Sequence, residues 1–266
     1  MKVALLISGH CRTFVFKEQC IFFKNFIKSL DVNSNDSESV CDVYLMLKQD
    51  EKIQTEQGLI NLNKIITTIK PKYSLCFKQW ALNNDVYYSQ INMISHLVQK
   101  AIIYEKQNNI KYDYFIRIRP DTVLNETIDL KKIHKINDLN KLNELNEINK
   151  NVIYTSLKYD ARGNDQFFIM NQYQVYNWFL KLPMHPSIYN KCPDYIIFNN
   201  TRVAQIVGSG LVRDYNNIDS WNNCHCKLNP IDYWIKKENF IPLSDEEFLL
   251  KIKDIIDYEE TITITI

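Results

Sequence analysis

The stretch Val3-Ala4-Leu5-Leu6-Ile7 runs straight into Ser8-Gly9-His10-Cys11-Arg12-Thr13. Five apolar residues in a row show neither helical spacing nor alternation, and Ser-Gly-His ends them abruptly. A short run that is apolar toward both faces is the pattern of a strand in a parallel sheet with helices on either side. The pattern recurs outward from it at Asp42–Leu47, at Tyr73–Phe77 and at Tyr112–Arg119, the last ended by Pro120-Asp121. Between these runs Phe14–Leu30 shows helical spacing, Asp31–Ser39 is a polar loop, Leu59–Ile69 is helical and stopped by Pro71, and Val86–Lys106 is a long amphipathic helix. Four alternations of strand and helix predict right-handed βαβ units, an α/β fold class and a mainly parallel sheet. Ligands of such sheets bind beyond the carboxyl ends of the strands. Ser8–Thr13 and Arg119–Asp121 are therefore expected to meet at one crevice.

Composition narrows the function classes. The chain has 266 residues, 45% of them hydrophobic, 12% aromatic and 24% charged. That is ordinary globular chemistry and excludes disorder for most of the length. Lys+Arg number 32 against 31 Asp+Glu, a net charge of +1. So balanced a chain argues against nucleic acid or a membrane surface as a partner. No run of 18 apolar residues occurs, so no membrane span is expected, and the apolar start is too short for a signal peptide. Cysteines 11, 20, 41, 76, 192, 224 and 226 are scattered through apolar segments. They read as buried thiols of a reducing compartment, which points to the cytoplasm.

The second half is less regular. Lys135–Asn151 repeats an apolar-Asn-polar triplet whose period of three drifts around a helix, so it reads as a low-complexity surface excursion. Val152–Ser156 and Phe167–Met170 read as short strands, Gln172–Leu180 and Tyr195–Val207 as helices. Ser244-Asp245-Glu246-Glu247 is a capping box opening a last helix to about Ile256, and Thr261–Ile266 alternates like an edge strand.

Three constellations carry candidate chemistry. In Ser8-Gly9-His10-Cys11-Arg12-Thr13, Gly9 allows backbone to approach a ligand, while Ser8, His10, Arg12 and Thr13 supply donors for a base, ribose or diphosphate. It matches neither the dinucleotide nor the P-loop glycine pattern. Its plain alternative is a tight strand–helix turn with Thr13 as N-cap. In Ile116-Arg117-Ile118-Arg119-Pro120-Asp121, alternation projects Arg117, Arg119 and Asp121 to one side. Guanidinium groups suit phosphate, and Asp121 suits a divalent cation bridging a diphosphate. The alternative is an internal Arg–Asp ion pair. In Arg162-Gly163-Asn164-Asp165-Gln166, a carboxylate at the crevice would take a proton from an attacking hydroxyl, with Asn164 and Gln166 bonding sugar-like hydroxyls; the alternative is an Asx-turn. Cys224-His225-Cys226 lacks the second ligand pair of a zinc site. No hydrolase or zincin motif occurs.

In order and spacing, these segments, together with Asp42-Val43-Tyr44-Leu45 and Lys70-Pro71-Lys72, resemble one group over about residues 1–210. It is the GT-A-fold glycosyltransferases with S-G-x-x-R-T-F, R-x-R-P-D and N-D-Q-F segments, found in large DNA viruses and bacterial surface-polysaccharide clusters. The resemblance implies one GT-A domain over 1–266, with residues 1–124 holding a nucleotide-sugar donor and 125–266 shaping the site of a glycan-type acceptor. It implies a donor site of Ser8, Gly9, His10, Arg12, Thr13, Arg117, Arg119 and Asp121, acceptor contacts from Asn164 and Gln166, and Asp165 as general base of an inverting transfer. For a viral chain it implies work in the host cytoplasm. Arg119-Pro120-Asp121 falls where Asp-x-Asp usually stands, which implies Mn²⁺ or Mg²⁺ on Asp121, with His225 the candidate for a further ligand.

The first Asp is replaced by Arg119. Either one carboxylate holds the metal, or Arg117 and Arg119 neutralise the diphosphate without one. Two rivals stay open. One is a non-catalytic glycan- or nucleotide-binding module on a decayed fold. The other is a nucleotidyltransferase, against which the single glycine after strand one counts.

Overall fold

The computed structural model describes residues 1–15, 17–32, 41–48, 56–77, 86–124, 127–135, 152–156, 166–176, 179, 202–207, 209–211 and 232–233. The opening apolar run forms β1 (Val3–His10), buried on both faces until His10. One turn of 3₁₀ helix (Arg12–Val15) leads into α1 (Lys17–Val32). Then come β2 (Cys41–Lys48), α2 (Glu56–Ile69), β3 (Tyr73–Phe77), α3 (Val86–Asn108) and β4 (Tyr114–Ile118). Beyond it lie β5 (Thr122–Leu124), β6 (Val152–Ser156), β7 (Phe167–Met170), α4 (Gln172–Val175), β8 (Arg202–Val207), β9 (Ser209–Leu211) and β10 (Asp232–Tyr233).

Eight strands make one sheet in the order β10-β8-β6-β7-β4-β1-β2-β3, and β5 pairs with β9 apart from it. β3, β2, β1 and β4 are mutually parallel. β7 runs antiparallel to both β4 and β6, so β6 points the same way as β4, and β8 runs parallel to β6. The fold is thus α/β with a mainly parallel sheet flanked by helices, as the alternation predicts.

Side-chain alternation splits the core in two. Val3, Leu5 and Ile7 of β1 join Val43, Leu45 and Leu47 of β2 and Ile116 and Ile118 of β4 on the face packed with Phe23 and Phe26 of α1 and Leu62 and Ile65 of α2. Ala4, Leu6, Tyr44, Met46, Phe115 and Phe168 face the other way, onto Ile94, Leu97, Val98 and Ala101 of α3. Burying each such Leu, Ile or Phe is worth about 1.5–3 kcal/mol, which is why these runs have no polar face. The chain steps outward from β1 to β2 to β3, then α3 crosses the opposite face and the chain resumes at β4 on β1's other flank. The strand order reverses between β1 and β4, and that point is the natural crevice of an open α/β sheet.

The helices stop by local chemistry. Lys70 follows α2 at φ 46° with its amide donating to the Ile66 carbonyl, and Pro71 bars continuation. Asn109 follows α3 at φ 50°, and the Ile110 amide donates to the Glu105 carbonyl. α4 opens with a capping box between Asn171 and Gln174.

Several expectations need correction. β1 does not end at Ile7: Ser8, Gly9 and His10 continue it, paired with Met46, Leu47 and Lys48 of β2. Arg202–Val207 is not helical but strand β8, held by β6. Of the helix expected over Gln172–Leu180, the described residues 172–176 and 179 are helical, Gln172–Val175 as α-helix, and 177, 178 and 180 lie outside the described residues. His134 lies in a helical turn at 130–135, its Nδ1 3.2 Å from the Tyr114 hydroxyl. Of the cysteines expected to be buried thiols, Cys11 is buried, whereas the thiols of Cys20, Cys41 and Cys76 are only half-buried. The Asn-rich excursion beyond residue 135, the capping box at 244–247, the final alternating segment and Cys192, Cys224 and Cys226 lie outside the described residues. No helix among the described residues is long and apolar enough to cross a membrane.

At the amino end of the sheet, opposite the crevice, a polar cluster ties α3 to the strands. The Tyr112 hydroxyl donates to Asp42 Oδ2 at 2.6 Å and lies 2.9 Å from the Tyr44 hydroxyl. Burial first, and the neighbouring carboxylate next, raise the Tyr112 phenol; burial raises that of Tyr44. Glu105 accepts from the Tyr112 amide and from Gln172 Nε2. Burial pushes its carboxyl up to about 7, against the amide, which pulls it down. A carboxyl raised in the folded chain favours folding most below its unfolded value near 4.5, and that contribution is lost as pH rises to about 7. Glu105→Gln is therefore expected to flatten the fall in stability between about pH 4.5 and 7 and to raise the unfolding midpoint at pH 8. Denaturant titrations at pH 5 and pH 8 test this, and a variant whose pH slope matches the parent's would sink it.

Candidate functional site

Gly9 and Pro120 bring the first two sequence constellations together. Gly9 adopts φ 147°, and a Cβ built on it would stand 2.9 Å from Pro120 Cδ. Only glycine accepts both the dihedral and the space. The β1 exit and the turn after β4 therefore touch at the carboxyl ends of the strands, at the point where the strand order reverses.

The turn itself is Arg119–Thr122, closed by the Thr122 amide donating to the Arg119 carbonyl at 3.1 Å. Gln19 of α1, fully buried, reaches across and donates through Nε2 to the carbonyls of Pro120 (2.9 Å) and Thr122 (2.8 Å). The Arg119 amide donates to the Gln166 carbonyl at 2.9 Å. That bond extends the β4–β7 ladder by one residue and brings the third constellation to the same place. Cys11 leaves β1 with its amide bonded to the Lys48 carbonyl.

Arg119 and Asp121 pair with each other. Arg119 Nε donates to Asp121 Oδ1 at 3.0 Å and Nη2 to Oδ2 at 2.9 Å, a two-pronged fork. The Asp121 side chain is 2% exposed and that of Arg119 16%, so the guanidinium is the more accessible member. Arg117 lies two residues deeper in β4, 1% exposed, its guanidinium 5.8 Å from the centroid of the Phe168 ring. The Ser8 hydroxyl is buried at the carboxyl end of β1, and the Thr122 hydroxyl is buried beside Asp121. Neither has a hydrogen-bond partner among the described residues. An unsatisfied buried hydroxyl costs about 1–3 kcal/mol, a cost commonly met at ligand sites.

The structure thus brings Ser8, Gly9 and His10 together with Arg119, Asp121 and Gln166. Arg12 and Thr13 follow in the 3₁₀ turn that leads from β1 to α1. Asn164, Asp165 and His225 lie outside the described residues. Gln19 was missed by sequence reading, although a signal existed. It sits on the stripe of Phe23, Phe26 and Leu30, a polar residue where an apolar one is expected.

Among the described residues the donor set does not suit a divalent cation. Both Asp121 oxygens accept from Arg119, and among the described residues no three His, Cys, Asp or Glu side chains come together. Mn²⁺ or Mg²⁺ wants several oxygen ligands with free lone pairs.

No protein-family model matches the chain, and no curated protein matches it. Among solved structures it is similar to a glycosyltransferase involved in the glycosylation of the major capsid of PBCV-1, at 8% identity and a TM-score of 0.31. That match covers 66% of this chain and 62% of that one. It is also similar to a putative glucose-1-phosphate thymidylyltransferase from Bacillus anthracis, in complex with sucrose. There the identity is 6% and the TM-score 0.39, over 100% of this chain and 98% of that one.

Gly9→Ala is expected to cost about 1–3 kcal/mol from the dihedral and the clash together. The thermal midpoint should drop by several degrees. Adding Pro120→Ala, which removes the clashing ring carbon, should recover the steric part only. An unchanged midpoint in the single variant would mean that β1 and the turn separate freely.

Proposed function

We propose that this chain is a nucleotide-sugar-dependent glycosyltransferase that moves a sugar onto a hydroxyl of a glycan-type acceptor. The observation that carries the reading is the convergence of three separately read segments, Ser8-Gly9-His10, Arg119-Pro120-Asp121 and Gln166, at the switch point of a mainly parallel α/β sheet. Ligands of such sheets bind there. The partnerless Ser8 hydroxyl supports a polar ligand at the end of β1. The sheet order and the motif set together fit a GT-A assignment. The thiols of Cys11, Cys20, Cys41 and Cys76 fit work in a reducing compartment, the cytoplasm.

In this reading the nucleotide lies along Ser8–Thr13 and its diphosphate near Arg119. The acceptor oxygen attacks the anomeric carbon from the face opposite the leaving group. The bond from that carbon to the diphosphate oxygen breaks, and the nucleoside diphosphate departs with the electron pair. The acceptor proton passes to the Asp165 carboxylate, while Asn164 and Gln166 hold acceptor hydroxyls. Guanidinium groups near the departing oxygen lower the barrier by meeting the charge as it forms.

A non-catalytic nucleotide- or glycan-binding module is the second reading. The Arg119–Asp121 pair favours it, because it takes up the carboxylate that a metal-dependent transferase would use.

The test is thermal-shift screening against UDP-, GDP-, CMP- and dTDP-sugars, followed by transfer assays with the sugar that binds. A ligand at 100 times its dissociation constant adds about 2.7 kcal/mol of apparent stability, so one nucleotide should stand out. Asp165→Asn should then lower transfer at least a hundredfold while nucleotide affinity changes less than threefold. Binding without transfer or donor hydrolysis would favour the module. No shift with any nucleotide would overturn the transferase.

A further inference from the structure

We propose that the charge of the donor diphosphate is met at this site by Arg119, held in place by Asp121, and not by a divalent cation. The inference rests on the transferase reading and deepens it. Its grounds are the geometry of one turn.

The edge of Asp121 that would chelate a metal through both oxygens is filled, since those oxygens receive two nitrogens of one guanidinium at 3.0 and 2.9 Å. It is also the covered member of the pair, 2% exposed against 16% for Arg119. A metal ligand has to face the crevice, whereas an orienting residue sits behind the group it orients. The signs agree. Asp-x-Asp concentrates two negative charges that attract a dication. Here one carboxylate and one guanidinium sum to zero, so the pair offers a dication no net negative charge, and its more exposed member is the guanidinium, the one that suits a diphosphate. The turn cannot easily rearrange to release the carboxylate. Its backbone is fixed by Gln19 at two carbonyls, by the Thr122 amide on the Arg119 carbonyl, by the Arg119 amide on Gln166, and by Pro120 against Gly9. Asp121 is a positioning residue in this scheme, and Arg119 is the group that touches substrate. Arginine in a fixed fork is preorganised for phosphate oxygens, as lysine is not.

The experiment measures binding of UDP, GDP, CDP and dTDP by calorimetry, in Mn²⁺ and in EDTA, for the parent chain, Asp121→Asn and Arg119→Lys. The parent's affinity for its nucleotide should agree within about twofold between Mn²⁺ and EDTA. Both variants should bind about tenfold more weakly, by the same factor in either medium. A parent that loses tenfold or more in EDTA, with Asp121→Asn harmful only when Mn²⁺ is present, would overturn the inference and make Asp121 a metal ligand. An Asp121→Asn chain with a lowered unfolding midpoint but the parent's affinity would overturn the positioning role. If Asp121→Asn fails to fold, the parent's EDTA comparison and Arg119→Lys still decide. If no nucleotide binds, the transferase reading fails on its own, and Mn²⁺ titration followed by electron paramagnetic resonance separates the two questions. Mn²⁺ held by the parent and released by Asp121→Asn would overturn the inference; equal behaviour of both chains would uphold the statement about the metal.

Discussion

The contact between Gly9 and Pro120 is the constraint on which the rest of the site depends. A side chain at position 9 would force the turn after β4 away from the end of β1, since its first carbon would stand 2.9 Å from a rigid ring. The turn would take Arg119 and Asp121 with it. Gln19 would then lose the two carbonyls it bonds, in a place where no water replaces them cheaply. One missing methyl group thus lets two strands, a helix and a turn share a single geometry. It does so where the sheet's connectivity leaves a crevice.

The two ends of the sheet are built on different principles. At the amino end, Asp42, Tyr112, Tyr44 and Glu105 bury their polar atoms against each other, and Lys72 covers Asp42 from solvent at 3.6 Å. This arrangement is closed and anchors α3. At the carboxyl end the Ser8 and Thr122 hydroxyls are buried without partners among the described residues. Ser95 of α3 carries a third such hydroxyl, so unmet bonding is not confined to the carboxyl end, but two of the three hydroxyls lie where ligands of this architecture bind.

Much of the fold was legible because fully buried strands leave little choice. Tyr73–Phe77, Val152–Ser156 and Phe167–Met170 stand as read, since no helix gains from an apolar run of four or five residues ended by polar ones. Arg202–Val207 failed for the same reason in reverse. Val203, Ile206 and Val207 sit at helical spacing, and only pairing with β6, some 50 residues earlier, makes them a strand. The extension of β1 through His10 was likewise set by β2, a partner that local sequence does not display. At the site, strand alternation and the switch-point rule were enough to bring Ser8–His10 and Arg119–Asp121 together. What Asp121 bonds to was beyond them, because a carboxylate two residues from an arginine serves a metal or the arginine equally well on paper.

The buried position of Asp121 supports the use proposed for the turn. A carboxylate loses most of its hydration when covered, a cost met only where an opposite charge or several donors replace that water. Arg119 supplies both, as a charge and as two directed N–H groups. The guanidinium, being larger and planar, keeps part of its surface exposed while its fork is filled by Asp121. Had the chain carried aspartate at 119, two covered carboxylates would have repelled each other, and a cation would have been needed to hold the turn together. With arginine there the turn carries its own cation. In the proposed reading, the replacement that looks like the loss of a motif substitutes a covalently attached charge for a bound one.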